Sequence, residues 1–121
     1  MAKSVLLVED EPHILEALRF LLERDGFTVT ACSDGDQAIA TARTDTPDIV
    51  ILDVMLPGRN GFEILRDMRA STDLAEIPVL MLTAKGQSRD RETAMEAGAN
   101  RFVTKPFSNE EIVAAVRELA G

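Results

Sequence analysis

Ile49-Val50-Ile51-Leu52-Asp53 joins four consecutive apolar residues to a carboxylate. A continuous apolar run of this kind reads as a strand buried on both faces, as in parallel sheets covered by helices on each side. Runs of the same kind recur at Val5–Val8 and Val79–Leu82, whereas Thr28-Val29-Thr30-Ala31-Cys32 alternates and the run at Phe102–Thr104 is short. Helical stripes lie between them: Ile14/Leu18/Leu21/Leu22, Ala38/Ile39/Ala42 and Phe62/Leu65/Met68, then a helix around Ser88–Ala97, then Ile112/Val113/Val116/Leu119/Ala120. Five βα units with short links predict one parallel sheet with helices on both faces.

The three continuous runs belong in the centre of the sheet and the other two at its edges. That gives the strand order 2-1-3-4-5, a flavodoxin-like (βα)5 doubly wound α/β fold. Its winding reverses between the first and third strands, and ligands bind beyond the carboxyl ends of the strands at such a reversal. Helix boundaries are marked by Pro12 in a first turn, by Asn60/Glu63 and Ser108/Glu111 as capping boxes, and by Gly26 and Gly98 as stops.

The chain has 121 residues, enough for one domain spanning 1–121 but not for a second, reader domain. No stretch has the length and apolarity of a membrane span or a secretory segment, so a cytoplasmic protein is expected. Its 21 acidic and 13 basic residues give a net charge of −8, which argues against direct binding to nucleic acid. The single cysteine, Cys32, reads as a small core residue with no redox role.

Chemistry is expected where the strands end. Glu9-Asp10-Glu11 follows the first strand, Asp53 the third, Thr83 the fourth and Lys105 the fifth. Asp53 facing Glu9 and Asp10 across the reversal implies repulsion between like charges unless a cation joins them. Mg²⁺ suits such a site, because it takes hard oxygen ligands and commonly uses one or two carboxylates plus phosphate oxygens. The Thr83 hydroxyl and the Lys105 ammonium would complete a site for a phosphoryl group, with Asp53 as the nucleophile. There is no G-x-x-x-x-G-K-[ST] loop and no G-x-G-x-x-G, so the phosphoryl donor is expected to be another protein or a small phosphate compound.

Val8-Glu9-Asp10-Glu11-Pro12, Leu52-Asp53-Val54-Met55-Leu56-Pro57, Asn60-Gly61, Thr83-Ala84 and Lys105-Pro106-Phe107 together resemble the motifs of bacterial response-regulator receiver domains. The resemblance spans essentially the whole chain. It implies that Asp53 is the phosphoacceptor, that Asp10 and Glu9 serve a Mg²⁺ ion with the backbone carbonyl of Met55, and that Thr83 and Lys105 contact the phosphoryl group. It also implies a histidine kinase or histidine phosphotransfer protein as donor, and a domain that catalyses only its own phosphorylation and dephosphorylation. Where the family often has a second Asp, this chain has Glu9, which favours contact with the metal through water. The family's Lys-Pro bond is typically cis.

The resemblance places the switch aromatic at Phe102, and we expect the face formed by the helix at 88–97, the Phe102 strand and the last helix to change partner binding. That helix offers Ala94, Met95 and little else to bury. Receivers fused to winged-helix transcription factors often read Gly-Ala-Asp-Asp-Tyr before the lysine strand, whereas this chain reads Gly98-Ala99-Asn100-Arg101-Phe102. A monomer, or a weak phosphorylation-dependent dimer, is therefore expected. The chain reads as a single-domain regulator, the alternative being a receiver cut from a larger transcription factor or output protein. Met55 and Lys85 would flank the path of attacking water. Apolar Met55 predicts slow self-dephosphorylation, on the order of minutes to hours. His13 reads as an exposed residue at a helix start rather than a metal ligand.

Two rival readings come from other classes. A small phosphatase of the haloacid dehalogenase type also uses an aspartate nucleophile, a hydroxyl, a lysine and Mg²⁺, but it needs an acid two residues after that aspartate, and here Met55 stands there. A flavodoxin-like cofactor binder would need a hydroxyl-rich phosphate loop where Glu9-Asp10-Glu11 would repel an anion.

Overall fold

The computed structural model describes residues 3–84 and 88–121. Each apolar run forms a strand: β1 Ser4–Val8, β2 Thr28–Cys32, β3 Ile49–Asp53, β4 Val79–Ala84 and β5 Arg101–Lys105. Helices alternate with them: α1 Pro12–Arg24, α2 Gly35–Asp45, α3 Gly61–Ala70, α4 Ser88–Ala97 and α5 Asn109–Ala120. All strand pairs are parallel and the order is β2-β1-β3-β4-β5, as predicted. The β1–β3 register pairs Val8 with Leu52, so both strands release their next residue, Glu9 and Asp53, on the same rim.

Alternation along the strands divides the core in two. Leu6, Val8, Val50 and Leu52 pack with Ala38, Ala42, Ile64, Leu65 and Met68 under α2 and α3. Val5, Leu7, Ile49 and Ile51 pack with Leu18, Leu22, Ile112 and Val116 under α1 and α5. β3 is buried at all five positions, which explains why it needs apolar residues on both faces. β2 and β5 are only partly buried, as edge strands should be.

The helix starts differ in detail from the sequence expectation. Asn60 and Glu63 form a complete capping box at α3. At α5 the Ser108 side chain accepts from the Glu111 N–H, but the reciprocal half of the box is not formed. α2 begins at an unforeseen cap, where the Asp34 side chain accepts from the Asp36 N–H at 2.8 Å. Met95, expected to be buried, is 48% exposed, so Ala94 is the buried apolar contact of α4 among the side chains described. β5 is as long as β1, and its edge position shows in its burial rather than its length.

One clamp ties α3 to the segment that leads into β4 and to the turn that follows α4. The Arg69 guanidinium donates to the carbonyls of Ala75 (3.1 Å), Ile77 (2.8 Å) and Gly98 (3.0 Å) and to the side-chain oxygen of Asn100 (3.0 Å). That same Asn100 oxygen accepts from the Val79 N–H at 2.9 Å, which fixes the start of β4.

Candidate functional site

The sheet continues one residue past β1, because the Glu9 N–H donates to the Cys32 carbonyl at 3.0 Å. This turns the Glu9 side chain inward, where it is fully buried, while Asp10 is exposed at the rim. Asp53 ends β3 and is 3% exposed. Glu9, Asp10 and Asp53 each place one carboxylate oxygen within 4.8 Å of the others.

Lys105, at the end of β5, reaches into this group. Its Nζ lies 2.9 Å from Glu9 Oε1, 3.2 Å from Asp53 Oδ2 and 3.5 Å from Glu11 Oε1. The Lys105–Pro106 bond is cis, as the resemblance implies. Thr83 is buried in β4, one residue beyond Leu82, which is the register partner of Asp53.

The electrostatics follow from burial. Desolvation pushes the Glu9 carboxyl up from 4.5 to about 7, and neighbouring Asp53 adds to the rise. The Glu11 N–H, donating to Glu9 Oε2 at 3.1 Å, and the Lys105 ammonium act in the opposite direction without overcoming it. For Lys105, burial works against the charge, but Glu9 and Asp53 outweigh it and hold the ammonium above its ordinary value. The Glu9–Lys105 contact is an ion pair without hydrogen-bond geometry, so Glu9 Oε1 is buried with no hydrogen-bond partner among the described residues. A buried oxygen of this kind beside two further carboxylates is a donor set that fits a hard divalent cation.

Of the residues singled out from sequence, Glu9, Asp10, Asp53 and Lys105 converge, and Thr83 lies on the adjacent strand end. The Met55 N–H donates to Asp53 Oδ1 at 3.4 Å, and its side chain is 72% exposed. Phe102 is half-buried, packs against the core cluster that includes Ala94, and lines an open cleft of about 370 Å³ with Arg91, Met95, Arg101 and Glu111. His13 is exposed and outside the carboxylate group. Lys85 lies outside the described residues. Glu11 was read from sequence only as part of an acidic run that would repel an anion, yet its backbone and side chain touch Glu9 and Lys105. The only signal for it was its place in three consecutive acids.

Comparison with known proteins agrees with this geometry. The family model for the response regulator receiver domain matches residues 5–117. A protein assigned as a response regulator from Chloroflexus aurantiacus is 32% identical, with a TM-score of 0.96 over 99% of this chain and 98% of that one. The receiver domain of a sensor histidine kinase of Pseudomonas aeruginosa, solved with a magnesium ion coordinated in its active-site cleft, is 31% identical, with a TM-score of 0.91 over 100% and 99%. A chemotaxis response regulator of Vibrio cholerae is 28% identical, with a TM-score of 0.91 over 98% and 99%. With a family match across nearly the whole chain, the same strand order and an acid group at the winding reversal, the chain belongs to the response regulator receiver domain family of two-component signalling.

Proposed function

We propose that this chain is a phosphoacceptor switch whose Asp53 takes a phosphoryl group from a histidine kinase or histidine phosphotransfer protein. The observation that carries this reading is the Asp53 carboxylate itself, buried at a strand end, grouped with Glu9 and Asp10, and 3.2 Å from the Lys105 ammonium. In the transfer, an Asp53 oxygen forms a bond to phosphorus as the phosphorus–nitrogen bond of the donor breaks, and the departing histidine takes up a proton. Glu9, Asp10, Asp53 and the backbone carbonyl of Met55 would hold Mg²⁺. When bound, the ion supplies positive charge to the transferring oxygens. The Lys105 ammonium offsets the remaining charge, and the Thr83 hydroxyl donates to a phosphoryl oxygen.

The acyl phosphate is then hydrolysed by water, so the domain catalyses only its own modification and its reversal. A phosphatase acting on external substrates is disfavoured by exposed, apolar Met55, which stands where such an enzyme needs an acid. Output runs through the face formed by α4, β5 and α5, with Phe102 responding to movement of Thr83 toward the phosphoryl group. Hydrogen-exchange protection on that face should change when a phosphoryl analogue binds. We read residues 1–121 as one unit acting in the cytoplasm, as a monomer or a weak phosphorylation-dependent dimer. Among the described residues no helix is long and apolar enough to cross a membrane.

Intact mass spectrometry after incubation with acetyl phosphate and Mg²⁺ tests the central step. One phosphoryl adduct is expected, absent without Mg²⁺ and absent in Asp53→Asn. An adduct that survives Asp53→Asn would overturn the assignment.

A further inference from the structure

Residues 54–60, between β3 and α3, include Met55, and the first turn of α2 presses directly on them. The Gly35 N–H donates to the Pro57 carbonyl at 3.1 Å, and the Gly61 N–H closes the other side on the Val54 carbonyl at 2.8 Å. Gly35 is buried, and a methyl group on it would stand 2.4 Å from the Arg59 carbonyl oxygen, 3.1 Å from the Arg59 nitrogen and 3.2 Å from the Pro57 carbonyl oxygen. Those three neighbours are backbone atoms and cannot rotate away. Across the contact, Gly58 has φ +83°, and a methyl group there would meet the Asp36 carboxylate at 2.4 Å. The approach therefore needs glycine on both sides.

Pro57 and Arg59 lie two and four residues from Met55. Relieving the contact at Gly35 requires the segment and the start of α2 to separate by about 1 Å, and so short a link passes the segment's share of that shift on to the Met55 carbonyl. Mg²⁺ demands near-ideal octahedral geometry at about 2.1 Å, so a ligand displaced this far is lost or strained. Ca²⁺ accepts longer and more variable distances.

We propose that Gly35 is a positioning residue for the metal site: α2 seats residues 54–60 so that the Met55 carbonyl faces the Glu9–Asp10–Asp53 group. This rests on the reading that the metal is held there. A larger residue at Gly35 weakens Mg²⁺ binding without touching any ligand, and weakens it more for Mg²⁺ than for Ca²⁺.

The test titrates the full chain with Mg²⁺ and separately with Ca²⁺, following backbone amide shifts by NMR. In Gly35→Ala, Mg²⁺ affinity should fall about ten-fold and the Mg²⁺/Ca²⁺ preference should drop with it. Ala42→Gly, a buried change farther along α2, lowers stability and should leave both affinities within about two-fold of the parent. A folded Gly35→Ala with parental Mg²⁺ affinity, or equal losses for both ions, overturns the proposal. If Gly35→Ala does not fold, Gly58→Ala carries the test, because a side chain at φ +83° strains the same contact from the side of the loop. Weaker Mg²⁺ binding with a reduced Mg²⁺/Ca²⁺ preference supports the proposal there, and unchanged binding overturns it. A parent chain that shows no saturable Mg²⁺ shift overturns the metal reading as well, whereas a binding parent with an equally binding variant overturns only the positioning role.

Discussion

The Lys105 ammonium stands 3.2 Å from Asp53 Oδ2 and 2.9 Å from Glu9 Oε1, making one cation the counter-charge of two buried carboxylates on separate strands. Its charge contributes stability that is fully present below its ordinary value of 10.5 and is lost as pH rises through the raised folded value. Removing one partner from a buried pair costs about 3–5 kcal/mol, and the partial exposure of Lys105 brings the expected loss for Lys105→Met to roughly 2–3 kcal/mol. Mg²⁺ should restore more stability to this variant than to the parent, since the ion then supplies the missing charge. Urea denaturation with and without Mg²⁺ measures both quantities. A smaller Mg²⁺ effect in Lys105→Met would contradict the argument.

Glu9 gives the metal-free protein a pH dependence of unusual sign for a carboxylate. Its carboxyl is raised from 4.5 to about 7, chiefly by burial, even though Lys105 is in contact. The native state thus keeps a proton that the unfolded chain releases, and stability falls as pH rises from about 4.5 to 7, by up to ~3 kcal/mol. Mg²⁺ binding should strengthen over the upper part of that window, because the ion competes with the proton. Denaturation midpoints at a series of pH values in a chelator should show the slope in the parent and lose it in Glu9→Gln. A flat parental profile would count against the assignment.

The five strands, their order and the rim bearing Glu9, Asp10, Asp53, Thr83 and Lys105 were legible because each follows from a local run of residues. β3 is apolar throughout because it is buried on both faces, and Asp53 stands out because it ends that run. What stayed hidden depends on contacts distant in sequence. Nothing around Arg69 announces that its partners are carbonyls at 75, 77 and 98. Gly35 looks like an ordinary helix-start glycine until Arg59 is seen against it. Met95 fits a helical stripe, yet α4 sits at the edge of the fold and leaves it half exposed.

Arg69 should matter more to stability than its place among exposed helix residues suggests. Burial lowers the pKa of its guanidinium, and four hydrogen bonds offset that cost. Arg69→Ala leaves three carbonyls and the Asn100 oxygen short of a donor, for an expected loss of about 2–4 kcal/mol. Arg69→Lys should recover less than half, since a single ammonium cannot reproduce the planar fork. Because Asn100 shares the network, Arg69→Ala and Asn100→Ala should be non-additive in a double-mutant cycle. Additive losses would show that the clamp is not one unit.

Met55 bears on how long the phosphorylated state lasts. Its side chain is 72% exposed, two residues beyond Asp53, and its N–H is already directed at Asp53 Oδ1. A thioether offers an attacking water almost no hydrogen bond, so water reaching the acyl phosphate is left without a group to orient it. We expect a phosphoryl lifetime on the order of minutes to hours at room temperature, and a several-fold shorter one in Met55→Asn, whose amide can hold that water. Because Met55 is exposed, the substitution should change folding stability by less than about 0.5 kcal/mol, so a faster decay would not reflect a loosened fold. The decay of the phosphoryl adduct, followed by intact mass after removal of the donor, measures the lifetime directly. A parental lifetime of a few seconds, or identical decay in Met55→Asn, would show that Met55 does not control access of water.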